Sequence, residues 1–551
     1  MDCGKHSEEH RQIDRRLEKN GIMGVDRMLL LHVAILLVVS IGFESLFVNH
    51  GLSAMDEGWP LHAAMELHDA GSDKTLYDEV FWVFPPGHLL PAWIAYGIDP
   101  PGIVLTRIFY AGFSIAACLA LLFVGRRLMP ADFALLGALL IAVAAPRSHF
   151  EQLVFGYRYL VWAAIALLFF HLRLTRDESK WLLPAGVFAG IALFFRLTPA
   201  FAVSMGIGIG LMAASRDWRR WFRDGLWYSA GLILVWIPIL IWFATTVGLE
   251  KFWIEVVVRP VEMTALQSRP IPPIVFENLD RTRFSTAFAS LGFRLYPLLF
   301  LGLLASLLYR WGRAFREARA FDSTFLLSFV VFGAVYFTRS MGRSDIPHLD
   351  SAIPPIAILL AYCASLSTKF PRFDPEQIGR RAVGYRLALC AVVFVAWTFA
   401  TGSDRFLDAD GMMGGRPLEN ISSETKGRSG SLGMEIGRLI PFIQEHAGPE
   451  DTILVMAHAP LIYVVAERHS PGYFDVVMPG TFRSPQEQMD FIEHLEERPP
   501  AVVVWPRQPF DNDKSRGLRV TAPLLWHWVS ENYRPRHESP RYRILVRSGS
   551  S

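Results

Sequence analysis

Cysteine is scarce in this chain: there are 4 in 551 residues, with Cys118, Cys363 and Cys390 inside apolar runs and Cys3 near the N-terminus. No disulfide framework follows from that spacing. An excess of one charge is missing too. Lys and Arg number 54 against 52 Asp and Glu, a formal +2, so the balance gives no reason to invoke nucleic acid. The sequence has no Gly-Lys-Ser/Thr phosphate loop, no Cys-x-x-Cys pair and no His-Glu-x-x-His. Nucleotide hydrolysis and a zinc–cysteine site are therefore without a motif. Internal repeats and low-complexity tracts are also lacking, and Asn420-Ile421-Ser422 is a lone glycosylation-type triplet of a kind common by chance.

What the chain has in abundance is apolar sequence. It is 52% hydrophobic and 13% aromatic, with only 19% charged residues. Apolar runs approach the length a helix needs to cross a hydrocarbon core of about 30 Å. They fall near 28–48, 103–124, 133–146, 157–171, 182–196, 199–214, 226–247, 291–309, 324–338, 352–366 and 386–401. The expected fold is thus mainly α: a polytopic membrane protein of about 11 transmembrane helices. The segment 1–27, with its mixed charge in "KHSEEHRQIDRRLEKN", is too long for the n-region of a signal peptide and reads as a cytoplasmic N-terminal segment before a retained first span. With that orientation the cytoplasmic loops carry 24 Lys and Arg against 11 on the opposite side. The positive-inside rule then places the first loop and the C-terminus outside the cytoplasm, in a multi-pass protein of the inner cell membrane.

After residue 401 the composition changes. The stretch 402–431 is rich in Gly and polar residues and reads as a linker between a membrane domain, 28–401, and a C-terminal domain, 432–551. In the latter "TILVMA", "LIYVVAE", "AVVVWP" and "RYRILVR" read as strands, and Ser484-Pro485 followed by Glu487 opens a helix. A small extracytoplasmic α/β domain is expected, one that shapes the mouth of the site or meets an acceptor and carries no catalytic residue, His458 included.

The candidate chemistry lies in the loops of the outer face. The first, 49–102, is long for a simple connection and is expected to hold amphipathic helices at the membrane surface. It opens with "SAMDEGWP", which carries Asp56 and Glu57, and continues through Asp78 and Glu79 to Pro85-Pro86-Gly87. Asp56 stands at the exit of the first span, where partial desolvation raises a carboxyl pKa toward the range suited to a general base. A second cluster, "RSMGRSDIPHLD", groups Arg339, Arg343, Asp345, His348 and Asp350 in a way that suits a phosphate held by cations which acids orient. Arg147, His149, Glu151, Arg158 and Arg196 fall near the same face, and ionisable groups at membrane depth are functional candidates by default. Glu44, near the outer end of the first span, reads as a packing residue.

An Asp-Glu pair after the first span, a downstream Tyr-Asp-x-x-x-aromatic stretch ending in Pro-Pro-Gly, the many spans and the C-terminal domain together resemble the GT-C superfamily of membrane glycosyltransferases. The likeness is to bacterial relatives of protein O-mannosyltransferases and of lipid A aminoarabinose transferases, whose Arg-x-Asp-x-x-His segment "GRSDIPHL" is similar to. The resemblance implies transfer of a sugar from a polyprenyl-phosphate carrier to a lipid, glycan or protein acceptor at the extracytoplasmic face, usually with inversion. By it Asp56 is the catalytic base, Glu57 its neighbour and Asp78 a second loop acid. Arg158, Arg196, Arg343, Asp345 and His348 are then the expected substrate-binding residues. Some such enzymes use a divalent metal ion and others none, and the resemblance does not choose between them. The large inserted luminal domain of the mannosyltransferases is missing, since loop 248–290 has about 43 residues. Two alternatives remain: an oligosaccharide polymerase or ligase using lipid diphosphate donors, and a lipid or glycan transporter, for which paired broken helices would be expected.

Overall fold

A computed structural model describes residues 27–48, 55–69, 74–151, 157–274, 281–367, 390, 392–393 and 432–548. Ten of the expected spans coincide with helices. Seven of the described helices are long and apolar enough to cross a membrane, and the helices over 131–144, 179–195 and 353–366 are apolar but shorter. The eleventh expected span, 386–401, lies almost wholly outside the described residues, as does the linker 402–431.

Small residues allow the helices to approach closely. A Cβ on Gly186 would lie 1.9 Å from the Tyr228 carbonyl oxygen, and one on Gly231 would lie 2.1 Å from that of Leu183. The Leu182–Phe195 helix therefore packs backbone to backbone on Trp218–Thr246, the geometry that lets van der Waals contact drive association in lipid. The outer face of Trp218–Thr246 exposes Leu234, Ile237, Ile241 and Trp242, a surface suited to acyl chains.

Between the first and second long helices the chain forms the Gly58–His68 helix, a tight turn at Tyr77–Glu79, a 3-10 turn at Pro86–His88 and the Leu90–Ile98 helix. Both loop helices are there, but Gly58–Glu66 is buried on every side instead of lying on a surface. The covering layer is the C-terminal region.

That region contains a four-stranded sheet in the order β1-β2-β4-β3: β1 (Ile453–Val455) runs parallel to β2 (Val502–Pro506), and β4 (Tyr542–Arg547) pairs antiparallel with both β2 and β3 (Tyr533–Glu538). Three of the expected strands are strands. "LIYVVAE" is instead the helix Leu461–Ala466, because an apolar run buried on all faces has no period to separate helix from strand. β3 was not expected, since "YRPRHE" is polar and contains Pro535; as an edge strand it tolerates both. The Ser484 hydroxyl accepts from the Glu487 amide at 3.2 Å, as the capping signature predicts.

The loop and the C-terminal region share one core. Trp59, Leu61 and Met65 pack in the same cluster as Ile453, Tyr463 and Val503, and a Cβ on Gly58 would meet the Leu461 amide nitrogen at 2.2 Å. A polar clamp runs through this core. His62 stacks on Tyr463 at 4.1 Å and meets Asp475 at 2.5 Å through Nδ1 and Glu66 at 2.9 Å through Nε2. Burial alone would lower the pKa of His62, but the two carboxylates outweigh it and raise it to about 9. The imidazolium's contribution to stability is thus fully present below about 6.5 and lost as pH rises to about 9. Thermal unfolding should show the melting temperature falling between those pH values, and His62→Gln should flatten the slope. His62→Ala, which strips buried Asp475 of its imidazolium and leaves Glu66 to Lys74 and His469, should cost about 3–5 kcal/mol.

Candidate active site

One end of the helical bundle gathers the turn Met55–Glu57, the 3-10 turn Tyr157–Tyr159, the break at Arg196 and the loop that follows Thr324–Gly342. The turn before Gly58–His68 is closed by the Trp59 amide donating to the Met55 carbonyl at 2.9 Å. It sets Asp56 and Glu57 in different surroundings. Glu57 is buried and takes a two-pronged contact from Arg107 of the Ile103–Leu128 helix, Nε to Oε1 at 2.5 Å and Nη2 to Oε2 at 2.7 Å. A bidentate guanidinium fixes direction as well as distance, so this pair anchors the turn.

Asp56 is half-buried, and desolvation raises its carboxyl to about 7 against the pull of Arg343, Arg196 and Arg158, with Asp345 adding to the rise. Such a carboxyl is half-ionised near neutrality, the condition under which a group can accept a proton and release it again.

The cations come from four places in the fold. Arg158 is fully buried, its guanidinium 4.1 Å from the Tyr110 ring. Arg196 has extended backbone, φ -163 and ψ 135, where the helices Leu182–Phe195 and Leu197–Ala214 part, and lies 5.1 Å over Phe84. Arg343 follows Thr324–Gly342; its Nε donates to Asp345 at 2.8 Å and its Nη2 to Asp511 at 2.6 Å. Arg339 donates to the Tyr336 hydroxyl at 3.1 Å. Asp345 caps the Ile346–Ser351 helix by accepting from the His348 amide at 3.1 Å and meets His348 Nδ1 at 2.5 Å. Burial would raise the Asp345 pKa, but His348 and Arg343 hold it well below the usual carboxylate range, so it stays ionised. His88, buried between Phe84 at 4.9 Å and Tyr159 at 5.0 Å, is pushed well below its usual pKa by burial and then by Arg196 and Arg158, and is a neutral imidazole.

Asp56, Arg158, Arg196, Arg343, Asp345 and His348 therefore belong to one electrostatic unit. Asp78 is not among the charges that act most strongly on Asp56: it sits exposed in the Tyr77–Glu79 turn and pairs with Lys251. The side chains of Arg147, His149 and Glu151 lie outside the described residues. Glu44 and Asp350 are buried. Sequence reasoning missed Arg107, Asp511 and His88. Arg107 had a signal, a lone charge in an apolar run, whereas Asp511 in "PFDNDKSRG" reads only as a surface turn.

Among the described residues no group of three or more His, Cys, Asp or Glu is arranged to hold a metal ion. The carboxylates beside Asp56 are committed to Arg107, Arg343 and His348, and the surrounding guanidinium groups oppose a further cation.

No family model matches the sequence, and neither does any curated protein. Solved structures do. The chain is similar to ArnT from Cupriavidus metallidurans bound to undecaprenyl phosphate, with 18% identity and a TM-score of 0.53 over 96% of this chain and 99% of that one. It is also similar to the oligosaccharyltransferase of Archaeoglobus fulgidus in its apo form, with 13% identity and a TM-score of 0.53 over 95% of this chain and 74% of that one. The same archaeal enzyme in complex with Zn and sulfate matches at 12% identity and a TM-score of 0.52, over 94% of this chain and 73% of that one. The likeness shows a fold shared with ArnT and the archaeal oligosaccharyltransferase, in a chain with seven described helices long and apolar enough to cross a membrane.

Removing one partner of the Glu57–Arg107 pair strands a buried charge. Arg107→Ala should lower the unfolding free energy by about 3–5 kcal/mol, measured by denaturation in detergent, whereas the double change Glu57→Gln with Arg107→Met should recover most of that loss.

Proposed function

We propose that the protein is a glycosyltransferase that takes a sugar from a polyprenyl-phosphate carrier and passes it to a hydroxyl of a lipid, glycan or protein acceptor at the extracytoplasmic membrane face. The observation that carries this reading is Asp56: a half-buried carboxyl titrating near neutrality, with Arg343, Arg196 and Arg158 close enough to act on it. A lipid-linked phosphate lies at the membrane interface, so its cations and the base that works beside it must sit together at one end of the bundle. A transporter reading fits less well, because the polar groups gather at that end instead of near the bilayer midplane.

In the proposed step the acceptor O–H gives its proton to an Asp56 carboxylate oxygen. The acceptor oxygen forms a bond to the anomeric carbon while the bond from that carbon to the phosphate oxygen breaks, which inverts the anomeric centre. The electron pair leaves with the carrier phosphate, and Arg343, Arg196 and Arg158 stabilise the charge that develops there. Asp345 keeps Arg343 and His348 in place. Glu57 contributes by holding the Asp56 turn through Arg107. The fold likeness to ArnT, solved with undecaprenyl phosphate bound, supports a polyprenyl-linked donor. The distribution of Lys and Arg supports an outward-facing site in the inner membrane.

Purified protein in lipid nanodiscs, supplied with undecaprenyl phosphate bearing different sugars, should transfer at least one of them. The rate at low donor concentration should rise as pH passes through about 7, where Asp56 loses its proton. Arg343→Ala should weaken carrier binding by about 2 kcal/mol, roughly thirtyfold in affinity. A flat pH–rate profile together with unchanged carrier affinity in folded Arg343→Ala would remove the site from this chemistry.

A further inference from the structure

One turn of the C-terminal region reaches Arg343 directly. Phe510–Asn512 forms one 3-10 turn beyond β2, and Asp511 and Asn512 both have φ of 58, the left-handed region that Asp and Asn enter more readily than most side chains. The turn presents Asp511 to three guanidinium groups. Its Oδ1 accepts from Arg343 Nη2 at 2.6 Å and pairs with Arg269 Nη2 at 2.5 Å. Its Oδ2 accepts from Arg269 Nε at 3.1 Å and from Arg516 Nη1 at 2.7 Å.

Arg269 and Arg343 are brought side by side by the backbone. They form an isolated parallel bridge, and the Ser344 amide donates to the Arg269 carbonyl at 3.3 Å. Two guanidinium groups held that way repel each other unless an anion stands between them, and Asp511 is that anion. Arg343 also lies 5.2 Å over the Phe510 ring, which in turn packs on His458 at 4.4 Å. Asp345 on Arg343 at 2.8 Å and Asp513 on Arg516 at 3.7 Å complete the charge balance of the three arginines. The cluster holds Arg343 by its Nε and Nη2 atoms.

We propose that Asp511 is a positioning residue of the active site: from the C-terminal region it holds the Arg343 guanidinium in the geometry that the donor's phosphate requires. The C-terminal region is then a working part of the site and not only its cover. This role rests on the reading that Arg343 meets the carrier phosphate.

The test is a double-mutant cycle on full-length protein in nanodiscs, with bare undecaprenyl phosphate as the probe and thermal unfolding as the check on folding. Asp511→Asn should weaken carrier binding about tenfold in the protein that has Arg343 and no more than about twofold in the Arg343→Ala background, because a residue that acts through another loses its effect when that other is gone. Asp511→Glu, which keeps the charge on a longer arm, should bind the carrier between wild type and Asp511→Asn, and it carries the cycle if the Asn variant fails to fold. A purely structural role would instead lower affinity by the same factor in both backgrounds. Equal losses in the two backgrounds, or no loss when Arg343 is present, would overturn the role of Asp511 alone. Wild-type protein that binds no carrier would refute the underlying reading and this role with it.

Discussion

Charge compensation where water is scarce governs this structure. An ion moved into a low-dielectric site costs several kcal/mol unless a partner and hydrogen bonds replace its hydration. At the loop-bearing end of the bundle that demand is met pair by pair: Glu57 by Arg107, Asp345 by Arg343 and His348, and Glu66 by His62 with Lys74 added. Asp56 is treated differently. Burial outweighs the pull of its arginines, and the carboxyl sits near neutrality at about 7. The adjacent acids Asp56 and Glu57 thus differ because their surroundings differ, one set by burial and the other tied to an arginine.

The same demand explains why the C-terminal region is built into the membrane part. The helix that follows Asp56 is covered by Leu461 and Tyr463 and clamped through His62 to Asp475, and the Arg259 guanidinium of the Arg259–Leu266 helix donates to Glu487 at 3.0 Å. Each of these contacts buries a charge or a backbone surface that neither part could leave open. Rigidity at the turn carrying Asp56 follows from packing on both of its sides.

The sequence displays the membrane helices well because lipid imposes length and hydrophobicity on them, and Asp56, Arg343 and His348 announce themselves as charges beside apolar runs. Asp345 is legible as a helix cap. The fold's tertiary pairings are not legible in the same way. Nothing local in "LIYVVAE" distinguishes a helix enclosed on all faces from a buried strand, and "YRPRHE" hides an edge strand behind polar residues. Glu57 reads as an acid like its neighbour until Arg107, fifty positions away in the chain, is brought against it. Asp511 is out of reach for the same reason, because its partners Arg269 and Arg343 come from two other loops.

The proposed chemistry depends on one proton acceptor. Asp56→Asn keeps the shape of the side chain and removes its ability to take the proton, so sugar transfer from a polyprenyl-phosphate donor, compared with wild type in the same nanodiscs, tests that dependence directly. The expected result is folded protein that still binds the carrier and transfers at least about 100-fold more slowly, the low end of what a general base contributes. Retention of more than about a tenth of the wild-type rate would contradict a base at Asp56.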